Sequence, residues 1–363
     1  MAYKKKFVAG VVLGFVLSVP TLAAQDAPLN ASERTVVLKT LAESMKAKYI
    51  EPAAAERVAR ALARKNAEGG YASATSALAF SEALAQDLRD FSGDLHFGAK
   101  LEEPARKRSD GDASARSEVD AARGQVERAA FQIPKLERLP GNVGYIELRG
   151  FEDSESVAHA YTAAMSLMAG SDALILDLRR NGGGNPVSVA YLMSHFLPRG
   201  DVRHLNDFYD RRTDTTWQSW TVSTIAQRYD KPVYVLTSAR TFSAGEECAY
   251  AFQTLKRGTL VGETTGGGAN PVGWYGVGNG IVVAIPHGRV TNPITKTSWD
   301  HVGVKPDIAA PAAEALQTAH VAILRKLVAA AKEDSERTKL QRVLAMVEKG
   351  ETEKPIYTLR GER

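Results

Sequence analysis

Between Val143 and Gly262 short apolar runs alternate with segments of helical periodicity, and this alternation limits the folds open to the chain. The runs are "GNVGYIELRGF", "ALILDLR", "KPVYVLTS" and "TLVGE". They are almost continuously apolar, the pattern of strands covered on both faces. Between them, Ser154 to Met168 places Val157, Tyr161, Ala164 and Met168 on one side, "PVSVAYLMSHFL" forms a second helix, and Ser243 to Lys256 a third. Repeated β-α-β units predict an α/β core, a parallel sheet flanked by helices. In such sheets ligands gather at the carboxyl ends of the strands. Two turns, "RRNGGGN" and "SARTFSAGEE", fall there. Further on, "GIVVAIPHGRV" has the look of a β-hairpin, and Ala312 to Val347 that of one or two terminal helices.

Upstream the pattern is wholly helical. Val37, Leu38, Leu41 and Met45, then Val58 and Leu62, then Phe80, Leu84 and Leu88 recur at helical spacing, and Pro52 and Gly69-Gly70 divide them into three helices. The chain begins with "MAYKKK", an apolar stretch from Phe7 to Pro20 and the small residues of "TLAAQ". That is the layout of a cleavable signal peptide, too short to span a bilayer. The expected divisions are a leader over 1–24, a helical N-terminal subdomain over 25–95, a charged connecting segment over 96–135, the α/β core over 136–312, and terminal helices over 313–363. Within the connecting segment, 101–128 is a mixed-charge stretch with almost no large apolar residue, expected to be a solvated loop or an exposed helix.

The formal charge of +4 falls to +1 once a leader carrying Lys4, Lys5 and Lys6 is removed. That leaves no electrostatic footprint for nucleic acid. Cys248 is the only cysteine, so no internal disulfide is available, and no zinc-type motif is present. Export to a bacterial periplasm is the expectation, with no membrane span in the mature chain and neither metal nor cofactor.

Ser243 poses the chemical question. Ser243-Ala-Gly-Glu246 has the spacing of a capping box. The same strand-to-helix turn is a place where a hydroxyl nucleophile sits beside free backbone donors. The glycines of "RRNGGGN" allow backbone N–H groups to approach a reacting carbonyl, whereas a phosphate loop calls for a Lys-Ser/Thr pair where Asn185 and Pro186 stand. A serine nucleophile needs a base, and Lys256 lies about 20 Å away along the same helix. His96 in "FSGDLHFGA" and His301 in "WDHVGVKPD" are the candidates.

"LPGNVGYIELRGF", "LILDLRRNGGG", "KPVYVLTSARTFSAGEE", "GTLVGETTGGGA" and "HVGVKPDI" together resemble the tail-specific or C-terminal processing serine peptidases. The likeness is to the branch holding the tricorn core and the repeats of interphotoreceptor retinoid-binding protein. The resemblance covers about residues 85–310. It implies a crotonase-like or ClpP-like core with a helical N-terminal subdomain, and peptides or unfolded protein segments as substrates. By position it makes Ser243 the nucleophile, with the Ala244 N–H and a glycine N–H from Gly183 or Gly184 as oxyanion hole, and Glu246 as a supporting residue. The lysine of the processing peptidases falls at Gly268, which has no side chain, so the resemblance points instead to a histidine base at His96 backed by Asp300. Asp94 is the other acid able to orient that histidine. Only about 45 residues separate His96 from "LPGNVGY", so a PDZ module does not fit. Trp217, Trp220, Tyr209, Trp274 and Tyr275 divide between pocket lining and packing. The rival reading is a non-catalytic carrier of retinoid-like or fatty-acid-like ligands on the same scaffold.

Overall fold

A computed structural model describes residues 26–102 and 112–351. The leader expected over 1–24, part of the charged segment and the final tail lie outside the described residues.

The chain opens with three helices, α1 (Ala31–Lys48), α2 (Pro52–Ala67) and α3 (Ala77–Ser92). Each end has a local cause. Asn30 and Glu33 form a reciprocal capping box on α1. Pro52 occupies the first turn of α2, where its missing N–H costs nothing. Gly93 ends α3 at φ +74, a conformation that favours glycine. Beyond this turn the chain passes His96 and enters β1 (Gly98–Leu101), and the charged segment contributes α4 (Asp112–Arg128) and a short 3-10 turn at Ala130–Gln132.

The core follows as β2 (Lys135–Leu139), β3 (Val143–Glu147), α5 (Ser154–Met168), β4 (Ala173–Asp177), α6 (Pro186–Ser194), β5 (His204–Asp210), β6 (Thr215–Trp220), β7 (Val233–Thr237), α7 (Ala244–Thr254) and β8 (Thr259–Gly262). The remaining elements are β9 (Val272–Gly278), β10 (Ile281–Pro286), β11 (Gly288–Thr291), β12 (Ile308–Ala309), α8 (Ala315–Ala330) and α9 (Asp334–Glu348). The main sheet has the order β12-β8-β7-β4-β3-β2, parallel throughout except for antiparallel β2 at its edge. Its pleat sends Ile146, Leu174, Leu176, Val233, Val235 and Leu260 toward α5, α6 and α7, and Val143, Tyr145, Ile175, Tyr234, Leu236 and Val261 toward α8. Cover on both faces is why these strands are continuously apolar.

The run over 280–290 is not a hairpin. β10 pairs with β9 and β1, and β11 pairs with β5, so the single residue His287 separates strands of two different sheets. A strand over Ile281–Pro286, buried throughout, needs cover on both sides. The N-terminal helices supply one side: Val277, Ile281, Val283 and Ile285 share a core with Val37, Leu41, Leu84 and Phe97. The N-terminal subdomain is thereby anchored to the core, and Arg211 adds a hydrogen bond of 2.7 Å to the Tyr49 carbonyl at the end of α1.

Truncating Leu174, which is fully buried, to alanine is expected to cost about 3 kcal/mol of stability in urea unfolding. Leu167→Ala on the exposed side of α5 should stay within about 0.5 kcal/mol.

Candidate active site

Two turns at the carboxyl ends of β4 and β7 are stitched together by side chains that the sequence provides at their tips. Thr241 Oγ1 donates to the Leu178 carbonyl at 2.8 Å, Ser238 Oγ to the Arg179 carbonyl at 2.6 Å, and the Phe242 N–H to the Asn181 carbonyl at 3.0 Å. Ser243 follows at φ +52 and ψ −122, a left-handed conformation that costs a non-glycine residue about 1–3 kcal/mol. Half of the expected capping box forms: the Ser243 N–H donates to Glu246 Oε2 at 2.9 Å. The Glu246 N–H donates to the Ser243 carbonyl at 2.8 Å, not to its hydroxyl, so the hydroxyl is left for other work.

The backbone donors beside Ser243 are sorted by Asn181. Its Oδ1 accepts the Gly183 N–H at 2.9 Å, while its amide donates to the Leu148 carbonyl. Gly183 sits so close to the serine that an added Cβ would lie 2.7 Å from Ser243 Cβ, and Gly184 (φ +135) would drive one into the Phe151 carbonyl. Only glycine fits either position. Because the Gly183 N–H is already given to Asn181, it is not a free donor. Gly184 and Ala244 donate to no acceptor among the described residues, and both line the cavity in front of Ser243.

His96 lines the same cavity. Its ring is buried against Phe242, with centroids 4.8 Å apart, and neither ring nitrogen has a hydrogen-bond partner. Orphaned polar atoms at such depth call for an explanation, and a catalytic role is one. No hydrogen bond joins Ser243 to His96. The acid against the imidazole is Asp94, whose Oδ1 is 3.4 Å from His96 Nδ1 and accepts the His96 backbone N–H at 3.0 Å. Burial acts to raise the Asp94 carboxyl, but His96 more than offsets it and holds Asp94 below the usual carboxylate range.

Asp300 is placed elsewhere. It accepts from the Ala269 N–H at 3.1 Å and from the Asn270 amide at 2.9 Å, and lies 3.3 Å from His301 Nε2. The other ring nitrogen of His301 meets the Gly93 carbonyl at 3.1 Å. Asp300 therefore reaches the neighbourhood of His96 by way of His301 and the α3 terminus, with no hydrogen bond to the imidazole itself. His301, exposed and outside the cavity lining, tethers the N-terminal subdomain to the core.

The cavity has a volume of about 280 Å³ and is walled by Phe208, Trp217, Trp299 and the 269–272 turn. Of the aromatic candidates only Trp217 reaches it, stacked on Phe208 at 4.2 Å. Trp220 stacks on His204, Trp274 lies under Lys100, and Tyr209 bonds Asp214. Glu246 is fully buried and accepts from Ser243, Thr265 Oγ1, Gly267 and Gly268, so it braces the serine turn against the glycine turn. The same turn leaves no room at position 268, where a Cβ would strike Phe242 and lie 2.6 Å from His96 Cε1. Sequence reasoning missed Glu247, Asn206, Asn181 and Trp299. For Glu247 the sign was a charge on the helix face shared with Ala244, Cys248 and Ala251.

Burial, against one hydrogen bond from Asn206, pushes the Glu247 carboxyl up to about 8 from its ordinary 4.5. In the folded state the group holds a proton that the unfolded chain releases above about pH 4.5. Its contribution to stability is thus fully present below pH 4.5 and lost as pH rises through 8. Urea midpoints measured from pH 4 to 9 should show this decline in the native protein and a flatter profile in Glu247→Gln.

Among the described residues no group of three or more His, Cys, Asp or Glu side chains could hold a metal ion.

A profile of peptidase family S41 matches residues 142–310, and one described as the N-terminal domain of peptidase S41 in eukaryotic IRBP matches residues 25–132. Neither describes a PDZ module. The chain is similar to carboxyl-terminal-processing peptidase 2, chloroplastic, of Arabidopsis thaliana, with 29% identity over 48% of this chain and 34% of that one. It is similar also to the carboxyl-terminal-processing protease of Synechocystis, with 32% identity over 46% of this chain and 38% of that one. The matched stretches thus span little more than a third of these curated relatives. In fold, a chain from Parabacteroides merdae superposes with a TM-score of 0.55 at 18% identity, covering 83% of this chain and 98% of that one. With the two profiles together accounting for most of its length, the chain belongs to peptidase family S41, a family of serine peptidases.

Proposed function

We propose that the protein is an exported serine peptidase that uses Ser243 as nucleophile and His96 as general base. The observation that carries this reading is the strained Ser243, its hydroxyl unused by the helix cap, facing one cavity with a buried His96 whose ring nitrogens have no partner. Ser243 attacks the peptide carbonyl while His96 takes its proton and then delivers it to the leaving amine. The Ala244 and Gly184 N–H groups receive the oxyanion, helped by the N-terminal end of α7. Asp94 balances the imidazolium, and Asp300 acts through the turn it braces. Water then releases the acyl group by the same steps in reverse.

The glycine at 268 favours a histidine base over a serine-lysine dyad, since the space a lysine would need is filled by Phe242 and His96. Export is supported by the leader-like residues 1–24. No described helix is long and apolar enough to cross a membrane. The carrier reading finds less support, because the cavity in front of Ser243 sets a histidine and a carboxyl among its apolar walls.

A fluorophosphonate probe should label Ser243 stoichiometrically, as located by peptide mass spectrometry, and both Ser243→Ala and His96→Ala should abolish labelling while circular dichroism stays native. Absence of labelling in the folded native protein would defeat the reading. Asp94→Asn should lower peptide hydrolysis by roughly 10²-fold or more, a larger loss than Asp300→Asn causes. Gly268→Lys, placed to supply the missing dyad, should lower the labelling rate by displacing His96; a higher rate would restore the serine-lysine mechanism to contention.

A further inference from the structure

The cavity before Ser243 contains one ionisable group that the proposed chemistry does not use. Glu247 is 2% exposed, lies one turn into α7 and lines the cavity together with Ser243, Ala244 and Gly184. Its Oε1 accepts from the Asn206 amide at 3.0 Å. Its Oε2 has no hydrogen-bond partner among the described residues, and the side chain forms part of the cavity wall. Asn206 is itself fixed by its place on β5 and by Asn292, which bonds the Leu205 carbonyl at 3.0 Å. The carboxyl is therefore held at the cavity wall through one of its two oxygens.

A buried acid with half its bonding capacity unmet is costly unless something completes it. The walls suggest what does. Phe208 and Trp217 offer a stacked aromatic surface, Trp299 another, and Ala269, Pro271 and Val272 an aliphatic one. Among the described residues no lysine or arginine lines the cavity, and His96 is the other titratable group on its walls. A long apolar stem ending in a cation fits this lining: the stem lies along the aromatic faces and the charge ends on Glu247.

Taking the peptidase reading as the basis, we propose that Glu247 makes this cavity a subsite for a basic side chain of the substrate, arginine or lysine. Burial raises the Glu247 carboxyl to about 8, so it holds its proton at neutral pH unless a cation is paired with it. As the cation enters, the carboxyl gives its proton to solvent and a buried, hydrogen-bonded ion pair forms. An acidic side chain in the same place would have to share one proton with Glu247 or bury an uncompensated charge, and is bound less well than a basic one.

The test is a fluorogenic octapeptide series of one sequence with arginine, lysine, norleucine or glutamate at a single position. It is read as kcat/KM for the wild-type protein and as binding by calorimetry to the Ser243→Ala protein. Arginine and lysine should exceed norleucine by at least about tenfold in both measurements, glutamate should be poorest, and the arginine-to-norleucine ratio should collapse toward one in Glu247→Gln. Equal cleavage and equal binding of arginine and norleucine peptides by the wild-type and Ser243→Ala proteins would overturn the proposal without recourse to a Glu247 variant. Selective binding of basic peptides without cleavage of any would instead remove the peptidase reading and leave the subsite standing. Neither binding nor cleavage would remove both.

Discussion

The buried carboxylate of Glu246 is the interaction on which the site depends. Four donors converge on it, from Ser243, Thr265, Gly267 and Gly268, at 2.5 to 2.9 Å. Burial raises this carboxyl from its ordinary value, and the four hydrogen bonds oppose that rise. Such an arrangement is worth having only if it is complete, because one lost donor would leave a buried acid short of partners. Completed, it fixes the serine turn and the glycine turn as one body.

From that body the bracing continues outward. The Gly268 carbonyl accepts from the Trp299 indole at 2.8 Å, and the Gly267 carbonyl from the His301 N–H at 2.8 Å. His301 then meets Gly93, the residue that ends α3 and turns the chain toward Asp94 and His96. The histidine, supplied by the N-terminal subdomain, and the serine, supplied by the core, are thus positioned by a continuous series of hydrogen bonds, reinforced by the shared apolar core of α1, α3 and β10. Asp300 and His301 act as members of this brace. Asp94, two residues from His96 in sequence, is the acid that touches the imidazole, because a short link through one turn can hold a carboxylate there when a distant loop is occupied elsewhere.

Much of this was legible in the residues. The β-α-β alternation, the three N-terminal helices and the terminal helices follow from periodicity and punctuation, which act within a few residues of chain. The two glycine- and serine-bearing turns were legible for the same reason, since a turn's chemistry is local. What misled was whatever depended on which strand pairs with which. The 280–290 run has hairpin composition, yet its two strands separate into different sheets because each finds better cover elsewhere.

By itself the sequence determined the strand-turn-helix carrying Ser243, the glycines that admit close backbone approach, and the absence of a side chain at 268. All are matters of which residues tolerate which local backbone. Only the tertiary structure decided that Asn181 takes the Gly183 N–H and leaves those of Gly184 and Ala244, that Asp94 rather than Asp300 lies against His96, and that Glu247 faces the cavity. Those outcomes turn on which groups remain unpaired once distant segments pack, and a buried polar atom's partner is fixed by three-dimensional proximity, not by its distance along the chain.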